Sequence, residues 1–98
     1  MSTTKTHYII CFDVHDDKRR RRLVRWLETF SFRIQYSVFA VNTDGNELAK
    51  MREGIELATD ESDSVCIFPI NQKDWNEKIV YGAQRRELEL LDSDVIIL

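Results

Sequence analysis

The sequence predicts an α+β fold in which two helices lie on one face of an antiparallel sheet. Three observations carry that prediction. Apolar runs of strand length, rich in aromatic and β-branched residues, occupy residues 7–14, 32–42 and 64–70. Between them lie two stretches with helical spacing, from about Asp17 to Phe30 and from about Asn46 to Thr59. The resulting order of strand, helix, one or two strands, helix and strand is that of a ferredoxin-like βαββαβ sandwich. A C-terminal addition ending in VIIL (95–98) is too apolar to be left in water and is expected to form an additional strand.

The totals agree with a single small core. The chain has 98 residues, 43% of them hydrophobic and 32% charged, and these are expected to divide into a domain over 1–82 and a tail over 83–98. No apolar run approaches the roughly 20 residues of a membrane span. The N-terminus lacks the apolar stretch of a signal peptide, so a cytoplasmic location is expected. Cys11 and Cys66 sit inside apolar runs and read as buried small hydrophobes, compatible with a reducing compartment. The net charge of −3 is unevenly spread. Residues 1–36 carry eight Lys/Arg against four Asp/Glu, whereas residues 37–98 carry six against thirteen. The positive part is concentrated between Lys18 and Arg25, and a local basic patch binds phosphate whatever the total charge.

The first run, HYIICFDV, alternates Tyr8, Ile10 and Phe12 with Ile9 and Cys11, then delivers a carboxylate, Asp13. Both of its faces are apolar, which predicts a strand buried on both sides. Asp16 or Asp17 is a natural N-cap for the first helix. Leu23, Val24, Leu27 and Phe30 form its inward stripe. At 100° per residue, Lys18, Arg21, Arg22 and Arg25 point away from that stripe, while Arg20 and, less centrally, Arg19 hang over the end of the sheet near Asp13. Residues 32–42 fit either one long strand or two short ones meeting near Tyr36–Ser37. TDGN (43–46) reads as a turn, with Asp44 and Glu47 resembling a capping box. Leu48, Met51, Ile55 and Ala58 line the inner face of the second helix. Residues 64–70, SVCIFPI, are apolar on both faces and read as a second central strand ended by Pro69. KIVY (78–81) is compatible with a short strand.

Two helices cover one face of such a sheet, yet two of its strands are apolar on both. In so short a chain, a second copy is the expected cover. The prediction is a homodimer packed sheet to sheet, with the VIIL tail added to the partner's sheet edge.

The segments FDVHDDKRRRRLVRWLE, FRIQYSVF and SVCIFPI, in this order and spacing, resemble the small universal CRISPR-associated adaptation protein, the second of the spacer-acquisition pair. The resemblance covers residues 8–81. It implies a ferredoxin-like fold and a dimer with one carboxylate per protomer across the two-fold axis. It also implies Mg²⁺-dependent endonuclease activity on single-stranded RNA or double-stranded DNA, and an integrase partner bridged by the dimer. The family's aspartate falls on Asp13, its helix arginines on Arg20 and Arg22, its strand arginine on Arg33 and its phenylalanine on Phe39. Three positions depart from the pattern: Phe12 stands where tyrosine is common, Ser31 where glycine is common, and Ala40 where an acid is common. Phe12 removes a hydroxyl from the neighbourhood of Asp13.

A hard cation takes oxygen ligands and keeps several waters, so one Mg²⁺ shared between two Asp13 carboxylates is a sufficient metal site. Arg19, Arg20, Arg22 and Arg33 are the candidate nucleic-acid contacts, because five consecutive basic residues repel one another unless phosphates lie nearby. Phe12, Asp16 and Phe39 are candidate supporting residues, although Asp16 reads first as a helix cap and Phe39 as core. His15 lies in the turn with no assignable partner. The main alternative is a non-catalytic DNA-binding scaffold that bridges the integrase subunits. A toxin-like ribonuclease of the same fold is a third reading.

Overall fold

The computed structural model describes residues 4–82 and Leu88. Strand β1 (Thr6–Asp13) leads into helix α1 (Asp17–Phe30), followed by β2 (Phe32–Gln35) and β3 (Val38–Thr43). Helix α2 (Gly45–Ala58), strand β4 (Ser64–Ile70) and a short helix α3 (Gln72–Asn76) complete the order. The strands form one antiparallel sheet, β2-β3-β1-β4, so the predicted ferredoxin-like arrangement is the one observed.

Alternation along β1 divides the molecule into two layers. Ile10 and Phe12 point to the helices and join Phe39, Val41, Leu23, Leu27, Met51, Ile55 and Ala58 in the main core. Ile9 points the other way and packs with Ala40, Phe32, Ile34, Ile70, Trp75, Val80 and Leu88. The helix-free face is therefore partly covered by the chain itself, through α3 and the residues after it. Sequence alone points to a second copy for all of that cover. His7 belongs to this layer too, buried and stacked on Trp75 with ring centroids 4.2 Å apart.

Several local expectations are corrected. Strand β4 pairs only with β1 and lies at the sheet edge rather than in its centre. Its apolar outer residues are exposed, including Cys66 and Phe68, because no further strand or helix lies over them among the described residues. Pro69 sits within β4 opposite Tyr8 instead of ending it, which an edge strand tolerates since its outer backbone groups have no strand partner among the described residues. Residues 78–81 are not a strand. Asn71 accepts the Asp74 amide at 2.8 Å and caps α3 instead, and the short helix seats Trp75 on the sheet. The TDGN turn is shorter than read, with Thr43 still in β3 and Asp44 capping α2 through the Glu47 amide at 2.8 Å. Residues 32–42 are two strands, separated by a turn at Tyr36–Ser37 and a register shift between Arg33 and Gln35. The expected strand at 95–98 and most of the tail over 83–98 lie outside the described residues.

Ser31, where the resemblance leads one to expect glycine, carries no conformational cost. It ends α1 with φ −138° and ψ 171°, an extended geometry open to any residue, and its N–H bonds the Leu27 carbonyl at 2.9 Å. Gly54 is different. Trp26 lies across it, its Nε1 donating to the Met51 carbonyl at 2.8 Å and its ring packed edge-on against Phe30. A Cβ on residue 54 would fall 1.9 Å from the Trp26 ring. Gly54→Ala is expected to destabilise the fold despite the gain in helix propensity of up to about 1 kcal/mol. Overpacking of this kind costs about 1–3 kcal/mol. Urea unfolding followed by Trp fluorescence measures the difference.

Candidate nucleic-acid interface and metal site

Asp13 ends β1 with the same parity as Ile9 and Cys11, so its carboxylate emerges on the helix-free face at the end of the sheet. Its side chain is 72% exposed. His15 folds back from the following loop and places Nε2 3.1 Å from Asp13 Oδ1. Sequence reasoning missed that pairing; the signal was the i, i+2 spacing across a strand end. Among the described residues, no three His, Cys, Asp or Glu side chains gather into a metal-binding group. One chain thus supplies a single outward carboxylate with a histidine beside it. Phe12 and Phe39 are buried under this corner with ring centroids 6.1 Å apart, so both support it from the core.

The arginines predicted to act together separate into three environments. Arg19 turns towards the loop before β4, donating Nε to Asp63 at 2.8 Å, with Nη1 3.3 Å from Asp60. The sequence reading placed it over the Asp13 end of the sheet, but it instead ties α1 to the α2–β4 connection. Asp16 caps α1 by accepting the Arg19 amide at 2.9 Å. Arg20 donates Nη1 to the Val14 carbonyl at 3.3 Å and pairs with Asp17 through Nη2, which holds it beside the end of β1. Arg33 donates Nε and Nη2 to the Tyr36 carbonyl at 3.1 and 2.7 Å. Arg20, Arg21, Arg25 and Arg33 line one groove of about 410 Å³ together with Tyr36. Arg22 faces another, between α1 and α2, with Arg25, Trp26 and Lys50.

The acids around Arg19 are held ionised. Arg19 pushes the Asp63 carboxyl below its usual range by direct hydrogen bonding, helped by the Asp60 amide. Asp60 is lowered chiefly by the Ser62 hydroxyl and amide. The guanidinium of Arg19 is in turn raised, mainly by its bond to Asp63. Arg20 is raised by Asp17 first.

Fold and site together define a small ferredoxin-like protein with an exposed strand-end carboxylate beside a basic helix. The chain belongs to the family of CRISPR associated protein Cas2, whose sequence profile matches residues 6–78. It is 31% identical over 78 residues to the CRISPR-associated endoribonuclease Cas2 2 of Synechocystis sp., covering 78% of this chain and 84% of that one. It is 36% identical over 63 residues to the CRISPR-associated endoribonuclease Cas2 4 of Rhodospirillum rubrum, covering 63% of this chain and about half (51%) of that one. Among solved structures it resembles a Thermus thermophilus protein solved as hypothetical, with TM-score 0.72, 29% identity, and coverage of 81% of this chain and 93% of that chain. It also resembles a chain of a partial Cas6-RT-Cas1–Cas2 complex, with TM-score 0.61, 30% identity, and coverage of 76% and 89%. No helix among the described residues is long and apolar enough to cross a membrane.

The Arg19–Asp63 tie gives an expected pH dependence. Because the folded Asp63 carboxyl ionises below its unfolded value of about 3.9, its contribution is complete above that value and lost as pH falls through the folded one. Asp63→Asn is expected to lower Tm at neutral pH, and the gap to wild type is expected to close on acidification. Thermal melts at a series of pH values between neutrality and the carboxylate range test this, and an unchanging gap would refute it.

Proposed function

We propose that this chain is a homodimeric, Mg²⁺-dependent endonuclease of CRISPR spacer acquisition. It hydrolyses phosphodiester bonds of single-stranded RNA or double-stranded DNA and assembles with an integrase partner. The observation that carries the reading is the Asp13 carboxylate, exposed on the helix-free face one residue from the carbonyl that Arg20 grips. The names of the relatives, which call them endoribonucleases, and the Cas1–Cas2 complex among the structural neighbours support the activity and the partner.

The residues fit the ion as half of a site. Mg²⁺ is satisfied by one or two carboxylates plus water and substrate oxygens, and Asp13 Oδ2 has no partner among the described residues. Two Asp13 side chains brought together across a two-fold axis on the helix-free face would hold one ion. When bound, it would polarise the phosphate and lower the pKa of an attached water. Arg20 and Arg33 would hold the backbone that the carboxylates act on. His15, with Nε2 3.1 Å from Asp13 Oδ1, would fix the orientation of its carboxylate. Phe68, half exposed on β4, and Cys66 leave an apolar margin for the second copy.

The basic surface also continues away from Asp13, through Arg22, Arg25 and Lys50. That continuation favours the scaffold reading as a second possibility, in which duplex binding needs no Asp13.

Cleavage of labelled single-stranded RNA and duplex DNA, with Mg²⁺ or EDTA, separates the two. Cleavage is expected to need the metal and to fall to background in Asp13→Ala. Cleavage that survives that substitution would overturn the site, and absent cleavage with intact duplex binding would select the scaffold. Phe68→Asp is expected to convert a two-chain species to monomers in sedimentation velocity and to abolish cleavage with it.

A further inference from the structure

Tyr36 is a large aromatic residue left 66% exposed in the turn between β2 and β3. Two guanidiniums lie against its ring. The Arg33 guanidinium carbon lies 5.0 Å from the centre of the Tyr36 ring, and that of Arg20 lies 5.9 Å from the same centre. Arg33 is further held by the Tyr36 carbonyl, which takes its Nε and Nη2, and it lies 5.7 Å from the Phe39 ring. Two like charges converge on one ring because its negative face attracts each of them, and the Tyr36 hydroxyl also holds Arg20. Arg20 has Asp17 as a counter-charge; Arg33 has no carboxylate partner among the described residues. The Arg33 Nη1 and the Arg20 Nε carry N–H groups that none of these bonds uses. Both arginines line the same open groove.

We propose that Tyr36 is the positioning residue of a two-arginine phosphate clamp. Its ring and carbonyl fix Arg33 and its ring fixes Arg20, so that the two forks grip neighbouring phosphates of one strand lying in the groove between α1 and the β2–β3 turn. Arginine forks match phosphate geometry, and a fork already held in place loses less side-chain entropy on binding. The clamp reads backbone rather than base edges, so its substrate class is a polynucleotide strand without sequence preference. The inference rests on the basic face being the nucleic-acid surface.

The test is fluorescence anisotropy of labelled single-stranded RNA and duplex DNA across a salt series. The proteins are wild type, Tyr36→Ala, Tyr36→Phe, the double variant Arg20→Ala/Arg33→Ala, and the triple variant adding Tyr36→Ala. Thermal melts confirm that each is folded. The double variant is expected to weaken binding and to reduce the magnitude of the salt slope on single strands by about 1.4, the share of two phosphates. Tyr36→Ala is expected to reproduce much of that loss, Tyr36→Phe to retain most of the binding because ring and carbonyl remain and only the hydroxyl beside Arg20 is lost, and the triple variant to bind like the double. Tyr36→Ala binding like wild type while the double variant fails would overturn the clamp and leave the nucleic-acid surface standing. A double variant that binds like wild type would remove both. A triple variant weaker than the double would show that Tyr36 acts other than through the two arginines, and equal loss in Tyr36→Phe and Tyr36→Ala would overturn the role given to its ring and carbonyl.

Discussion

The two-residue period of β1 is the constraint on which the rest of this structure depends. Strand geometry sends Ile10 and Phe12 into the helical core and Ile9 and Cys11 to the opposite face, and the same alternation assigns Asp13 its side. A shift of one residue would bury the carboxylate under α1 and expose the core. The register is fixed twice, by β3 on one flank and β4 on the other. The side of the sheet on which Asp13 emerges is thus a by-product of burying Ile10. The helix-free face is itself divided. Trp75 and its neighbours close the Ile9–Ala40 part, and the family's usual acid at position 40 gives way to a buried alanine beneath that cover.

Electrostatics divides the basic run into cations that have a carboxylate partner and cations that have none among the described residues. Cations at a helix N-terminus oppose the helix dipole, so each of these residues needs either a counter-charge or another reason to be there. Asp63 and Asp60 neutralise Arg19, and Asp17 neutralises Arg20. No carboxylate does so for Lys18, Arg21 or Arg22 among the described residues, and these side chains are exposed. The acids of the α2–β4 connection thus act as structural counter-ions for one arginine and leave Lys18, Arg21 and Arg22 without one among the described residues. Negative charge in the second half of the chain belongs to the same arrangement as positive charge in the first.

The sequence by itself determined the order of β1, α1, α2 and β4, the two helix faces and the strand-end carboxylate. Each of these follows from short-range periodicity: Leu23 and Leu27 mark the α1 stripe, Met51, Ile55 and Ala58 that of α2, and Asp13 closes an apolar run. The capping residues Asp16 and Asp44 were legible for the same reason, because a cap acts within one turn. What only the tertiary structure decided are the relations between distant segments. That β4 is an edge strand depends on which strand pairs with which, and its apolar letters do not encode that. That Arg19 is drawn to Asp63 while Arg20 and Arg33 meet at Tyr36 depends on loops, separated in sequence, arriving at the same ends of the sheet. Helical periodicity gives the direction in which an arginine leaves its helix. Where its guanidinium comes to rest is set by carboxylates, carbonyls and rings brought near by packing, at distances sequence spacing does not specify.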